Sequence, residues 1–214
     1  TAVAKAVYGR ASTTGKRALC LGGAKNHLIV VPDADLELTA ENVLASFTGC
    51  AGQRCMAASV MVAVGDVDHI LDEVSKRAAK IVVGKQLGPI TTRASMNRII
   101  GFIDEAERMG AKVRVDGRGA NGPEGGFWVG PTILDNVTPD MPAASTEIFG
   151  PVLSVIRVDT LEEALQLENA NPYGNASAIY TTSGDIAHKV MSRVSAGMCG
   201  VNIGVPVPRE PFGF

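Results

Sequence analysis

Apolar residues recur along this chain at helical spacing in some segments and as short extended runs in others, and the two kinds alternate from one end to the other. Residues 1–14 are rich in alanine and predict a helix that starts without a capping residue, as if the chain had been cut into it. Asp35 predicts the cap of a helix in which Leu36, Val43, Leu44 and Phe47 share one face. Asp66 precedes Ile70, Leu71, Val74, Ala78 and Ile81 at helical spacing. Thr92 does the same for Met96, Ile99, Ile100, Ile103 and Ala106, and Gly110 stands where a helix ends. Thr160-Leu161-Glu162-Glu163 is a capping box, and Ser183 opens a stripe of Ile186, Val190 and Val194 that closes at Gly197. Strands are predicted at residues 17–21, 27–31, 59–64, 112–115, 127–129, 152–158, 176–181 and 199–203. This alternation predicts an α/β fold, a mainly parallel twisted sheet with helices on both faces. The loop at 117–126 splits no domain, so residues 1–214 predict one domain.

Composition narrows the class. With 46% apolar and 20% charged residues the 214-residue chain can bury a sizeable core. A net charge of −2 removes the basic footprint of a nucleic-acid or anionic-membrane binder. The charge is uneven: Lys5, Arg10, Lys16, Arg17 and Lys25 all precede the first acid, Asp33. No apolar run approaches the ~20 residues that span a bilayer, and no signal-peptide core is present, so a cytoplasmic location is expected, or the mitochondrial matrix in a eukaryote. Four cysteines without a CxxC pair and three scattered histidines predict reduced thiols and no metal cluster.

Cys55 is the leading nucleophile candidate. It follows Gly49-Cys50-Ala51-Gly52-Gln53-Arg54 and directly precedes a predicted buried strand, which presents its thiol at the sheet edge where α/β active sites assemble. A cationic neighbour, Arg54, and the donors of a glycine-rich turn favour a thiolate there. Cys50 and Cys199 read as buried structural cysteines, and no histidine lies at a motif-like distance from Cys55. Glu147 and Phe149 precede a strand, a position suited to gripping a sugar hydroxyl and packing on a flat ring. There is no GxGxxG and no Walker loop, so a nucleotide site needs residues from outside this chain.

The ordered segments Gly22-Gly23-Ala24-Lys25-Asn26-His27, Pro32-Asp33-Ala34-Asp35-Leu36, Gly52-Gln53-Arg54-Cys55, Glu147 to Val152, Asn171-Pro172-Tyr173-Gly174 and Pro211-Phe212-Gly213 resemble the aldehyde dehydrogenases over essentially the whole chain. The variants GGAKNH and GQRCMA are similar to the branch that oxidises methylmalonate or malonate semialdehyde. The resemblance implies that Cys55 attacks the aldehyde and that NAD accepts the hydride. It implies that Glu147 and Phe149 hold the nicotinamide ribose and flank the ring, with Leu21 and Gly22 lining the nicotinamide pocket and Arg54 binding the substrate carboxylate. Asn202 and Phe212 fall in the segment that closes the pocket. Hydrolytic members carry a glutamate two residues before the Gly-Gly pair, where this chain has Cys20, so a coenzyme A thiol is the implied acyl acceptor, after decarboxylation.

The resemblance further implies that these residues form the catalytic, cysteine-bearing domain, with an NAD-binding domain and an oligomerisation segment lying outside them. The parent is then a homo-oligomer, and the isolated piece is inactive. Two alternatives stay open: an aldehyde dehydrogenase with another acyl acceptor, and a non-catalytic domain on the same fold.

Overall fold

The computed structural model describes residues 1–204. Among them seven strands form one sheet: β1 (Asn26–Val30), β2 (Ala58–Val64), β3 (Lys112–Val115), β4 (Thr132–Asp135), β5 (Val152–Val158), β6 (Ala176–Tyr180) and β7 (Met198–Val201). The spatial order is β3-β4-β5-β2-β1-β6-β7. Every neighbouring pair is parallel except β3 with β4. The expected α/β class and parallel sheet are therefore present.

The helices divide between the two faces. On one, α2 (Leu36–Thr48) and α3 (Asp68–Ala78) press Val43, Phe47, Ile70, Leu71 and Val74 against Leu28, Val30 and Met61. On the other lie α4 (Arg93–Arg108), the short α5 (Pro142–Ser145), α6 (Leu161–Ala170) and α7 (Gly184–Met191), which bring Ile99, Ile103, Leu165 and Val190 against Ile29, Val62, Ile156 and Ile179. Strand β1 is buried along its whole length, so alternate residues serve opposite cores. Burying the Phe47 ring completely contributes about 2–3 kcal/mol. Asp35 caps α2 by accepting the Leu38 N–H at 2.8 Å, and Thr160 and Glu163 form the reciprocal capping box of α6.

Several expectations change. Residues 17–21 form no strand: the segment runs outside the sheet, with Leu19 and Leu21 exposed, because an apolar run without a neighbour has nowhere to place its backbone hydrogen bonds. The strand expected at 127–129 reduces to one bridge between Phe127 and Ile90, and the ladder forms instead at β4. All four residues of β4 are buried, which erases the alternation that marks a half-exposed strand. Helix α7 ends at Met191 rather than near Gly197, and Leu36 faces solvent at the first turn of α2. Helix α1 (Ala2–Thr13) has no side-chain cap, as expected, and buries no residue.

An ionic cluster ties the sheet to α3. Arg157 on β5 donates from Nε and Nη2 to both oxygens of Asp135 on β4, each at 2.9 Å, and from Nη2 to Asp68 at 2.6 Å. Burial pushes the Asp135 carboxyl up, but the Arg157 and Asn136 hydrogen bonds outweigh it and hold the group below the ordinary range. A carboxyl lowered by folding stabilises the native state above its unfolded value of about 3.9, and that contribution is lost as pH falls through the folded value. Asp135→Asn is therefore expected to lower the urea midpoint at neutral pH and to flatten its decline below about pH 4, with the two proteins converging in strong acid.

Candidate active site

Cys55 is solvent-exposed and sits in the turn that leads into β2. Upstream, α2 runs into a 3-10 turn, Gly49–Gly52, in which Cys50, Ala51 and Gly52 all have positive φ. Gly52 is required there. A Cβ at this position would stand 2.0 Å from the carbonyl oxygen of Gly150, in a backbone conformation that L side chains avoid. The Cys55 loop is thus pressed against the loop that carries Glu147 and Phe149. Gln53 anchors its other side, donating to Pro89 O at 3.1 Å and accepting from Thr91 N–H at 3.0 Å.

The backbone of Cys55 is held by two amides that sequence reasoning missed. Asn26 Nδ2 donates to the carbonyls of Cys55 and Ala57, both at 2.8 Å, and Asn175 Nδ2 donates to Cys55 O at 3.0 Å. These asparagines lie 29 and 120 residues from Cys55, and nothing in local spacing announces them.

The candidate site residues converge on this point. A cleft of about 440 Å3 is lined by Cys20, Leu21, Gly22, Cys55, Glu147 and Phe149, among others. A second, of about 590 Å3, opens between Leu21, Gly22, Cys55 and Met56 on one side and Gly174, Asn175 and Gly197 on the other. Phe149 has φ 57° and is 40% exposed, a strained placement that turns its ring outward. Oε2 of Glu147 lies so close to Gly23 that a Cβ there would stand 2.8 Å away. Arg54 lines a small cavity of about 20 Å3 beside Cys55 and Glu147. Its Nη2 donates to the carbonyls of Ala45 and Ser46 in the last turn of α2, at 3.2 and 3.3 Å, while its Nε is buried without a partner.

All of these groups lie where the chain enters β1, β2, β5, β6 and β7, which is the amino edge of the parallel strands. The edge expected from the general behaviour of open α/β sheets is the carboxyl one, so this site departs from that rule. Cys50 is exposed rather than buried, because the positive-φ turn lifts it out of α2. Asn202 serves the sheet: its Oδ1 accepts from Thr181 N–H at 3.0 Å and its Nδ2 donates to Thr181 O at 2.8 Å. Phe212 lies outside the described residues. Among the described residues no group of three or more His, Cys, Asp or Glu could hold a metal ion, and no helix is long and apolar enough to cross a membrane.

The geometry ranks the thiols. Cys55 borders all three clefts, whereas burial, followed by the charge of Glu168, pushes the Cys199 thiol up to about 11. Limited iodoacetamide treatment followed by peptide mass mapping is expected to modify Cys55 ahead of Cys20 and Cys50, with Cys199 last. Uniform labelling would count against Cys55 as the nucleophile.

A family model described as the aldehyde dehydrogenase family matches residues 1–213. The chain is 43% identical to malonate-semialdehyde dehydrogenase 1 of Geobacillus thermodenitrificans, over 99% of this chain and 46% of that protein. It is 44% identical to a mitochondrial Drosophila melanogaster protein assigned as an acylating methylmalonate-semialdehyde/malonate-semialdehyde dehydrogenase, over 98% of this chain and 42% of that one. A Sinorhizobium meliloti crystal structure assigned to methylmalonate-semialdehyde dehydrogenase and complexed with NAD superposes with a TM-score of 0.93 at 44% identity, covering 96% of this chain and 44% of that one. The chain thus spans less than half the length of these relatives, and the match runs from end to end of its own residues. It belongs to the aldehyde dehydrogenase family.

Proposed function

We propose that these residues form the cysteine-bearing catalytic domain of an NAD-dependent, coenzyme A-acylating dehydrogenase for methylmalonate or malonate semialdehyde. The observation that carries this reading is the convergence of Cys55, Glu147, Phe149, Leu21 and Gly22 on one cleft from three separate segments. Cys55 is the nucleophile, and its sulfur adds to the aldehyde carbon. Bound NAD supplies the hydride acceptor. The residues fit such a group: an outward-turned aromatic ring beside a carboxylate suits a flat heterocycle carried on a ribose. Oxidation leaves an acyl thioester on Cys55, and after loss of the substrate carboxylate as carbon dioxide the thiol of coenzyme A takes the acyl group and returns Cys55 as a thiol.

Cys20, which lines the same cleft, offers no carboxylate base to activate water. That supports thiol transfer over hydrolysis. Arg54 is the proposed partner of the substrate carboxylate, through the guanidinium edge that includes its unpaired Nε. The enzyme is further proposed to be a homo-oligomer in the cytoplasm, or in the mitochondrial matrix of a eukaryote.

The test uses the complete product of the coding sequence, with malonate semialdehyde and NAD. NADH formation is expected to depend on added coenzyme A, and steady turnover without it would favour a hydrolytic relative. Arg54→Leu is expected to lower kcat/KM for malonate semialdehyde about 30- to 150-fold more than for propionaldehyde, the equivalent of ~2–3 kcal/mol for a desolvated charged contact. Equal losses on both aldehydes would assign Arg54 to α2 rather than to substrate.

A further inference from the structure

His27 on β1 and Glu168 on α6 are both buried, their side chains 5% and 2% exposed, and Nδ1 of the histidine lies 2.6 Å from Oε2 of the glutamate. Neither atom has another hydrogen-bond partner, and neither residue lines the clefts around Cys55. A buried pair of this kind adds little stability over apolar side chains of similar volume. Apolar side chains would hold α6 on the sheet equally well, but only a directed contact fixes one register.

The pair belongs to a row of contacts between the end of α6 and the entry to β1. Glu168 meets His27, Asn171 Nδ2 donates to Lys25 O at 2.7 Å, and Asn175 Nδ2 donates to Asn26 Oδ1 at 3.2 Å. Tyr173 packs so near Gly23 that a Cβ there would stand 3.4 Å from its ring. Residues 23–27 are thus held by residues 168–175, the stretch that contains Asn171-Pro172-Tyr173-Gly174. Asn26 is the member of this row that reaches the site, through its amide on the Cys55 and Ala57 carbonyls.

The pairing of β1 with β2 is irregular at the same point. Asn26 stands opposite Ala58 and His27 opposite Val60, which leaves Ser59 as an extra residue, its Oγ donating to Asn26 O at 3.3 Å. Such a bulge re-aims the side chains beside it, and a slip into regular pairing would carry the Asn26 amide away from Cys55. We propose that His27 and Glu168 are positioning residues for Cys55: their contact fixes the bulge, the bulge aims the Asn26 amide, and the amide holds the Cys55 backbone in the geometry for attack on the aldehyde. The proposal rests on the reading of Cys55 as the nucleophile.

The test uses the complete enzyme. Removing one partner alone leaves the other buried without a contact, so both are replaced together, His27→Leu with Glu168→Leu, which spares the fold that penalty. The rate of the first NADH turnover is expected to fall about fivefold, the rate equivalent of one net hydrogen bond, with the NAD dissociation constant unchanged. Alkylation of Cys55 by iodoacetamide, a free reagent that needs no aimed sulfur, is expected to stay within about twofold of wild type. Glu168→Gln keeps an oxygen acceptor at the same place and is expected to keep wild-type turnover. In an Asn26→Ala background the double replacement is expected to cost nothing further. The proposal is overturned by an unchanged first turnover, by a parallel fall in alkylation, by an equal further loss in Asn26→Ala, or by a loss in Glu168→Gln as large as in the double replacement. Each of these leaves the functional reading standing. A wild type that forms no NADH overturns that reading and the proposal together.

Discussion

The carbonyl of Cys55 is the point on which the site hangs. It accepts from Asn26, at the start of β1, and from Asn175, just before β6, so a turn that follows a strained 3-10 segment and leads into β2 is tied to the neighbouring strand β1 and to β6 beyond it. Asn26 also holds the Ala57 carbonyl, so one buried amide fixes two carbonyls of the same turn. Because the Asn26 side chain is buried, losing either partner leaves a polar group without water, a cost of about 1–3 kcal/mol that enforces one geometry. The backbone that carries the sulfur is in this way held by side chains distant from it in sequence.

A second constraint joins the Cys55 loop to the loop of Glu147 and Phe149. The close approach of Gly52 to Gly150 admits no side chain, and positive φ at Cys50, Ala51, Gly52 and Phe149 places strain on both sides of the contact. Such strain persists only where the surroundings over-determine it. Here they do: Gln53 is bonded to the 89–91 segment, and Ile148 and Ala51 are buried in the same core as Ile99 of α4. The site is built from loops, yet each loop is pinned by a helix or strand it adjoins.

These constraints explain which parts of the molecule were legible in the sequence. Capped amphipathic helices such as α4 and α6 announce themselves because their signals are local, within one turn. Strand β4 and the false strand at 17–21 show the limit, since pairing depends on a neighbour far away in sequence and not on the run itself. Cys55, Arg54, Glu147 and Phe149 stand in compact motifs beside glycines and strands. Asn26 and Asn175 do not, because their importance comes from the partners that the folded sheet brings to them. The edge on which the site lies follows from the sequence, since Cys55, Glu147 and Phe149 each precede a strand; what does not transfer is the general rule that open α/β sheets carry their sites at the carboxyl edge.

Arg54 shows how these levels meet. Helix α2 runs toward the Cys55 turn with its carboxyl end leading, so its last carbonyls project partial negative charge toward the region where an anionic sulfur or a substrate carboxylate would stand. Left bare, that end opposes the chemistry proposed for the cleft. Arg54 Nη2 binds the carbonyls of Ala45 and Ser46 and places a full positive charge between the helix end and the cavity beside Cys55. The guanidinium lies against Gly49, where a Cβ would meet Nη2 at 2.5 Å, so the glycine that ends the helix also makes room for the residue that neutralises it. A planar fork can do this with one nitrogen and still present another edge, whereas the single ammonium of a lysine cannot address two directions at fixed geometry. Helix termination, loop strain and the charge facing the cleft are therefore one arrangement, and a change at Gly49 or Arg54 alters all three together.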